Sequence, residues 1–257
     1  MLPTEIAAHL HTLGVAPGGV LQLHTSYRAV GAVTGGPDGL IDAVMAVLGP
    51  TGTLVMPSWT GDDDSPFDPA ATPAARDLGV VAETFRHRHG VVRSGHPLAW
   101  AALGPRATEV VAVPLQLPPH GPKSPVGRIH DLDGQVLLLG VGHDANTSLH
   151  LAELIAGVPY RVPHHVTVAE NGLAKRIDYG ENDHCCARFA LADDWLRAEG
   201  GQREGPVGKA HARLFRARDV VALAAARLAR DPLLFLHPPG GGCAACDLAR
   251  ASLTRDA

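Results

Sequence analysis

The sequence lacks a long hydrophobic run, a surplus of basic charge, an internal repeat, and the spread of cysteines that a disulfide framework needs. Each absence removes a class of function. The longest apolar stretches are short and broken by glycine, proline or charge, so no segment reads as a membrane span. The formal net charge is −4, so no basic surface invites nucleic acid or an anionic membrane. The N-terminal MLPTEIAAHLHTLG reads as a short amphipathic helix, without the basic start and unbroken apolar region of a signal peptide, and the expected compartment is the cytoplasm. The 257 residues suffice for a sizeable core. No linker or low-complexity tract divides them, so one domain over residues 1–257 is expected.

The four cysteines lie in two pairs, Cys185-Cys186 and Cys243-Ala-Ala-Cys246, with His184 beside the first and His237 near the second. In a reducing compartment that pattern suggests a structural metal clip more than a disulfide. Neighbouring side chains tend to point apart, so Cys185 and Cys186 are awkward joint ligands. The expected zinc set is therefore His184, Cys186, Cys243 and Cys246, with Cys185 a small apolar residue. His237 in place of His184 is the second reading, and four free thiols the third.

Strand patterns alternate with helical ones, which predicts an α/β fold with some antiparallel pairing in the last third. Strands are expected near 19–24, over TGTLVMPSW, in VVRSGHPLAWAALGP around its Arg-Ser-Gly-His-Pro turn, near 135–141, 165–168 and 175–178, and over PLLFLHP. Helices are expected near 39–48, 79–88, 148–156, 186–198 and 218–230. Polar groups collect where these strands end. GHDANTSLHLAE, residues Gly142–Glu153, places Asn146, Thr147 and Ser148 at the start of the helix carrying His150 and Glu153. Capping alone would account for the first three. The functional reading makes His150 a general base, since its unperturbed pKa lies near operating pH, with His143 a loop or supporting residue. His24-Thr25-Ser26 and Arg93-Ser94-Gly95-His96-Pro97 also sit at strand exits, where N–H groups and hydroxyls suit phosphate or pantetheine oxygens. Neither is a Walker A signature, and GAVTGGPDG is too loose for a dinucleotide fingerprint. Two acidic segments, Asp62-Asp63-Asp64 and Glu181-Asn182-Asp183, read either as solvated loops or as the lining of a pocket for a polycation. Asp183 is also a candidate for orienting His150.

Taken together, LHTSYRAVG, LVMPSWTGDDDSPFDP, RSGHPLAWAALGP, LPPHGPKSPVGRIHDLDGQVLLLGVGHDANTSLHLAE, ENDHCCARFALADDWL and DPLLFLHPPGGGCAACDLAR resemble the aminoglycoside 3-N-acetyltransferase family, in its type IV, apramycin- and gentamicin-modifying branch. The likeness spans nearly the whole chain in matching order. It implies an α/β architecture distinct from the GNAT acetyltransferases, with acetyl-CoA as co-substrate. It implies acetyl transfer to the 3-amino group of a 2-deoxystreptamine ring, and antibiotic resistance as the outcome. By the same resemblance His150 is the catalytic base, with Glu181 and Asp183 beside it. Asp63, Glu181 and Asp183 meet the substrate, and His24, Thr25, Ser26, Arg93, Ser94, His96 and Ser124 lie along the CoA cleft. The residue chemistry agrees: an aminoglycoside amine is mostly protonated at neutral pH, carboxylates attract it, and a base takes a proton as it attacks. Donors near Asn146–Ser148 are candidates for the tetrahedral oxyanion. Three other readings stand beside this one: an acetylated cysteine nucleophile at Cys185 or Cys186, a relative acting on another amine, and a non-catalytic binder of cationic small molecules.

Overall fold

In the computed structural model, which describes residues 1–253, the runs VLQLHT, TLVMP and QVLLL form three adjacent parallel strands. These are β1 (Val20–Thr25), β2 (Thr53–Pro57) and β5 (Gln135–Leu139), with β1 between the other two. The two-residue β3 (Val92–Arg93) and β4 (Trp100–Leu103) extend the sheet antiparallel beyond β2, and β9 (Ala210–Arg216) with β8 (Gln202–Val207) extend it antiparallel beyond β5. The order is β3-β4-β2-β1-β5-β9-β8. A separate hairpin, β6 (Val162–Glu170) and β7 (Leu173–Glu181), completes the strands.

The central strands are largely apolar and buried along their length because both faces are covered. Side chains alternate between two cores, as a period of two requires. Leu21, Leu23, Leu54, Met56, Leu137 and Leu139 pack on one side, and Val20, Val55, Val136 and Leu138 on the other. The first core takes helices α1 (Pro3–Leu13), α3 (Gly36–Leu48) and α4 (Gly79–Arg86); the short α2 (Tyr27–Val30) follows β1. The second takes α5 (Ala107–Val111), α6 (Pro125–Asp131), α7 (Ser148–Ala156), α8 (Leu191–Ala198), α9 (Ala217–Leu228) and α10 (Ala244–Ser252). The crossovers from β1 to β2 and into β5 therefore use opposite faces of the sheet. Opposite crossovers part beside β1 and leave a crevice at the carboxyl ends of the parallel strands.

Two sequence expectations are corrected here. PLLFLHP forms turns, not a strand: Phe235 and Leu236 are buried in the helical layer and never reach a sheet edge. The β8–β9 hairpin was missing from the expected elements, since QREGPV is largely charged or polar and only its last residue, Val207, is buried. Among the described residues no helix is long and apolar enough to cross a membrane.

Candidate active site

The crevice is an open cleft of about 430 Å³ lined by the exits of β1 (His24, Thr25) and β2 (Pro57, Trp59), the turn after β5 (Val141, Asp144–Thr147), and His120, His150, Asp183 and Cys186. Its rear wall is a buried hydrogen-bonded network around one carboxylate. Asn146 starts that wall: its side-chain oxygen accepts the Ser148 N–H at 3.1 Å and so satisfies the first N–H of α7. Leu149, Leu151 and Ala152 hold the helix in the core, which leaves His150 and Glu153, three apart, on a common face. The His150 Nδ1–H donates to Glu153 Oε2 at 2.7 Å. The other oxygen of Glu153 accepts from His184 Nε2 at 2.9 Å and from the Tyr160 hydroxyl.

The tautomers follow from this network. The backbone N–H of Cys186 donates to His184 Nδ1 at 3.0 Å, so that atom carries no proton and the ring's hydrogen sits on Nε2, facing Glu153. With Nδ1 of His150 committed to Glu153, its Nε2 is the atom left for the cleft, 3.5 Å from the Cys186 sulfur. Phe189 and Phe235 close the network from water: Phe189 stands edge-on to both His150 and His184, and Phe235 stacks on His184. Low local polarity strengthens each bond in such a network. Burial works to lower the His150 pKa, but Cys186 and Glu153 outweigh it and raise the pKa well above the ordinary 6.5. His120, in a left-handed conformation at φ 67°, lays its ring on His150 at 5.5 Å between centroids. Burial lowers its pKa to about 3, so it stays neutral and adds no positive charge beside the base.

The acidic residues lie around the hairpin. The Asp183 carboxylate meets His164 Nε2 at 3.1 Å and borders the cleft. Glu181 accepts the Tyr179 hydroxyl at 2.9 Å, and burial raises its pKa against the pull of His150. The three consecutive aspartates are not equivalent. Asp62 is spent on a turn, accepting the N–H groups of Asp64 and Ser65, and Asp64 pairs with His165 at 2.8 Å. The Asp63 carbonyl accepts the Thr167 hydroxyl at 2.7 Å, tying the loop to β6, while burial raises the pKa of its carboxyl. Glu181 and Asp63 are thus partly desolvated carboxylates that interact with histidines, Asp63 with His165 and His164 and Glu181 with His150 and His164.

Several expected roles change. Glu153, not Asp183, orients His150; the i, i+3 spacing of His150 and Glu153 was the available signal. Arg93 lies away from the cleft: burial lowers its pKa only to about 10, so it stays charged, and it staples the acidic loop by donating to the carbonyls of Ser58, Pro69 and Thr72 while lying over Phe67. Ser94 is fully buried and bonds to Trp100 and Val111, and Ser26 caps α2 through the Ala29 N–H. Neither Ser26 nor Ser94 lines the cleft. His24 and Thr25 do, and the buried Thr25 hydroxyl has no partner among the described residues. Burial lowers the His24 pKa to about 4. His96 and Ser124 border a second hollow of only about 10 Å³, which meets the cleft at His120. His143 supports the turn, accepting from Asn146 and facing Gln202 at 2.9 Å. The N–H groups of Ser148 and Leu149 are already taken by Asn146, so they are not oxyanion donors. The expected zinc set fails on the same geometry, because both His184 ring nitrogens are occupied and Cys186 faces His150.

Comparison with known proteins agrees with this architecture. The model of the family described as aminoglycoside 3-N-acetyltransferase matches residues 23–229. A curated relative, aminoglycoside N(3)-acetyltransferase IV of Salmonella sp, is 62% identical over 93% of this chain and 91% of its own. The aminoglycoside acetyltransferase AAC(3)-IVa, solved as a histidine-to-alanine mutant in complex with a gentamicin, superposes with a TM-score of 0.95 at 61% identity, covering 96% of each chain. Its complex with apramycin gives 0.91 at 58% identity over 96% of this chain and 98% of that one. AAC-IIIb, solved as a binary complex with CoASH, gives 0.80 at 30% identity over 90% of this chain and 97% of the other. The cleft, its buried carboxylate network and its acidic border are therefore those of a protein that belongs to the aminoglycoside 3-N-acetyltransferase family.

Proposed function

We propose that this chain, an acetyl-CoA-dependent acyltransferase by family, moves acetyl directly from acetyl-CoA to the 3-amino group of a 2-deoxystreptamine ring, with His150 as general base. The observation that carries the reading is the His150 tautomer: Nδ1–H is fixed on a buried carboxylate and Nε2 is presented to the cleft. A base so held needs no reorientation as the amine loses its proton. Glu153 stabilises the imidazolium that forms, and Tyr160 and His184 keep Glu153 in place. The thioester reaches the base past His24 and Thr25, where the Thr25 hydroxyl is a donor for the developing oxyanion. The aminoglycoside 3-amine is acetylated and CoA leaves as a thiol. Loss of that positive charge weakens a drug that acts as a polycation, so resistance follows in a host that makes the protein. Steady-state acetylation over an aminoglycoside panel, read by release of free CoA thiol, tests the assignment. Turnover confined to non-aminoglycoside amines, or binding without turnover, overturns it.

The 3.5 Å approach of Cys186 to His150 favours one second reading, in which the thiol takes the acetyl first. Direct transfer predicts no acetylated protein in intact mass after incubation with acetyl-CoA alone; a stoichiometric acetyl adduct lost in Cys186→Ala would replace it.

The acidic border gives a further expectation. Asp63→Asn, Glu181→Gln and Asp183→Asn should raise KM for the aminoglycoside and leave acetyl-CoA affinity unchanged. Exposed charges farther apart than about 8–10 Å are screened at physiological salt, so wild-type KM should also climb with ionic strength. Three variants with wild-type kinetics would make these carboxylates ordinary solvated groups.

The base titration is expected to show in the pH profile. His150 accepts a proton only when neutral, so kcat/KM should rise with pH through its free-enzyme pKa, on the alkaline side of 6.5. Cys186 raises that pKa, so Cys186→Ser should move the acid limb downward. The substrate amine is the same in both proteins, which isolates the shift to the enzyme. An unmoved limb would remove Cys186 from the tuning of the base.

A further inference from the structure

Outside the cleft, a histidine and three cysteines gather at the start of α10. Cys185, His237 and Cys243 place their ligand atoms within 4.8 Å of one another, and Cys246 Sγ lies 3.6 Å from Cys185 Sγ. We propose that Cys185, His237, Cys243 and Cys246 bind one structural zinc ion. Tetrahedral zinc, with bonds of about 2.3 Å to sulfur and about 2.0–2.1 Å to nitrogen, separates its ligand atoms by roughly 3.5–3.9 Å. The Cys185–Cys246 distance already falls in that range.

The local chain is shaped for the task. Cys243 and Cys246 open α10, and the backbone N–H groups of Ala245 and Cys246 point at the Cys243 sulfur. The run Gly240-Gly241-Gly242 turns the chain so that His237 and Cys243 meet, with Gly240 at φ 74° and Gly242 at φ 73°, conformations that cost glycine little. Arg250 grips the other side of this loop, donating to the His237 carbonyl from Nε at 3.2 Å and Nη2 at 2.5 Å. Adjacent cysteines then divide their labour. The chain turns at Cys186, which is left-handed at φ 56°, so that Cys186 faces His150 and Cys185 faces α10. A soft three-thiolate, one-imidazole set selects zinc over hard divalent ions. Binding releases one proton from each of the three thiols, and four protein ligands leave no position for a substrate. The ion would tie α10 to the segment that carries Glu181, Asp183 and His184, at a point next to the site and outside it.

The test is elemental analysis of tag-free protein purified without chelator, with a metallochromic indicator following release as thiols are blocked. About one zinc per chain is expected, falling near zero in Cys185→Ser and Cys243→Ser and staying whole in Cys186→Ser. Should a ligand variant fail to fold, the cobalt-substituted wild-type protein decides: strong visible bands of tetrahedral thiolate cobalt uphold the site, and their absence overturns it. Freshly reduced wild-type protein with four titratable thiols and no zinc overturns it too. So does a Cys185–Cys246 disulfide in protein from a reducing host, or zinc lost in Cys186→Ser and kept in Cys185→Ser.

Discussion

His150→Ala is expected to lower kcat by about two to four orders of magnitude, the usual contribution of a positioned general base, with acetyl-CoA affinity near wild type. The fold should survive because His150 stands on the cleft side of the network: water from the cleft can take its place on Glu153 Oε2, while His184 and Tyr160 still hold the other oxygen. His150→Gln sharpens the test. Its amide can still donate to Glu153, but it cannot take a proton, so its turnover should fall as far as that of the alanine variant. A folded His150→Ala or His150→Gln protein with near wild-type turnover would remove the base from the mechanism.

The second large effect belongs to Glu153. Its side chain is fully buried and accepts from three donors, so Glu153→Ala strands His184, Tyr160 and His150 at once. Removing one partner from a buried charged pair typically costs about 3–5 kcal/mol, and we expect a loss of that size in denaturant unfolding. Glu153→Gln keeps the shape but turns an amide N–H toward donors, so it should also lower kcat sharply. The pH dependence gives a separate signature. Burial alone would raise this carboxyl, but the hydrogen bonds from His150 and His184 bring it from 4.5 to about 2. A carboxyl more acidic folded than unfolded adds stability that is fully present above about 4.5 and is lost as pH falls toward about 2. Wild type should therefore lose stability more steeply over that window than Glu153→Gln. Parallel curves would deny the carboxylate its structural role.

The parts of the fold that could be read from the sequence were those where one physical effect dominates. TLVMP and QVLLL are largely apolar runs, and VLQLHT is one interrupted by Gln22 and its polar exit, because two helical layers cover them, and little else produces such runs between turns. PLLFLHP has a similar composition for another reason: Phe235 serves as a lid on His184, a tertiary role that leaves no periodicity. QREGPV hid its strand because an edge needs few apolar residues. In the site, His150 was visible from its place after a strand end, and the cleft includes His24 and Thr25 as expected. His120 and Tyr160 carry no local signal, since their value lies in contacts with segments 30 and 7 residues away in sequence, respectively. Arg93 shows the converse, a polar residue at a strand exit whose buried guanidinium serves the chain itself.

The strand order has a consequence for synthesis on the ribosome. β1 lies between β2 and β5, so it keeps one unpaired edge until residues 135–139 have emerged, more than a hundred residues after its own. The base comes next, and the sequence that locks its partner, His184 to Phe189, later still. A nascent chain stopped before that point has an apolar sheet whose second helical layer still lacks α8, α9 and α10, and the carboxylate that orients His150 is without His184. Such non-local closure is slow, because loop entropy is lost before the contacts that reward it form. Truncations or splits upstream of residue 190 should therefore yield aggregation-prone fragments instead of weak enzymes.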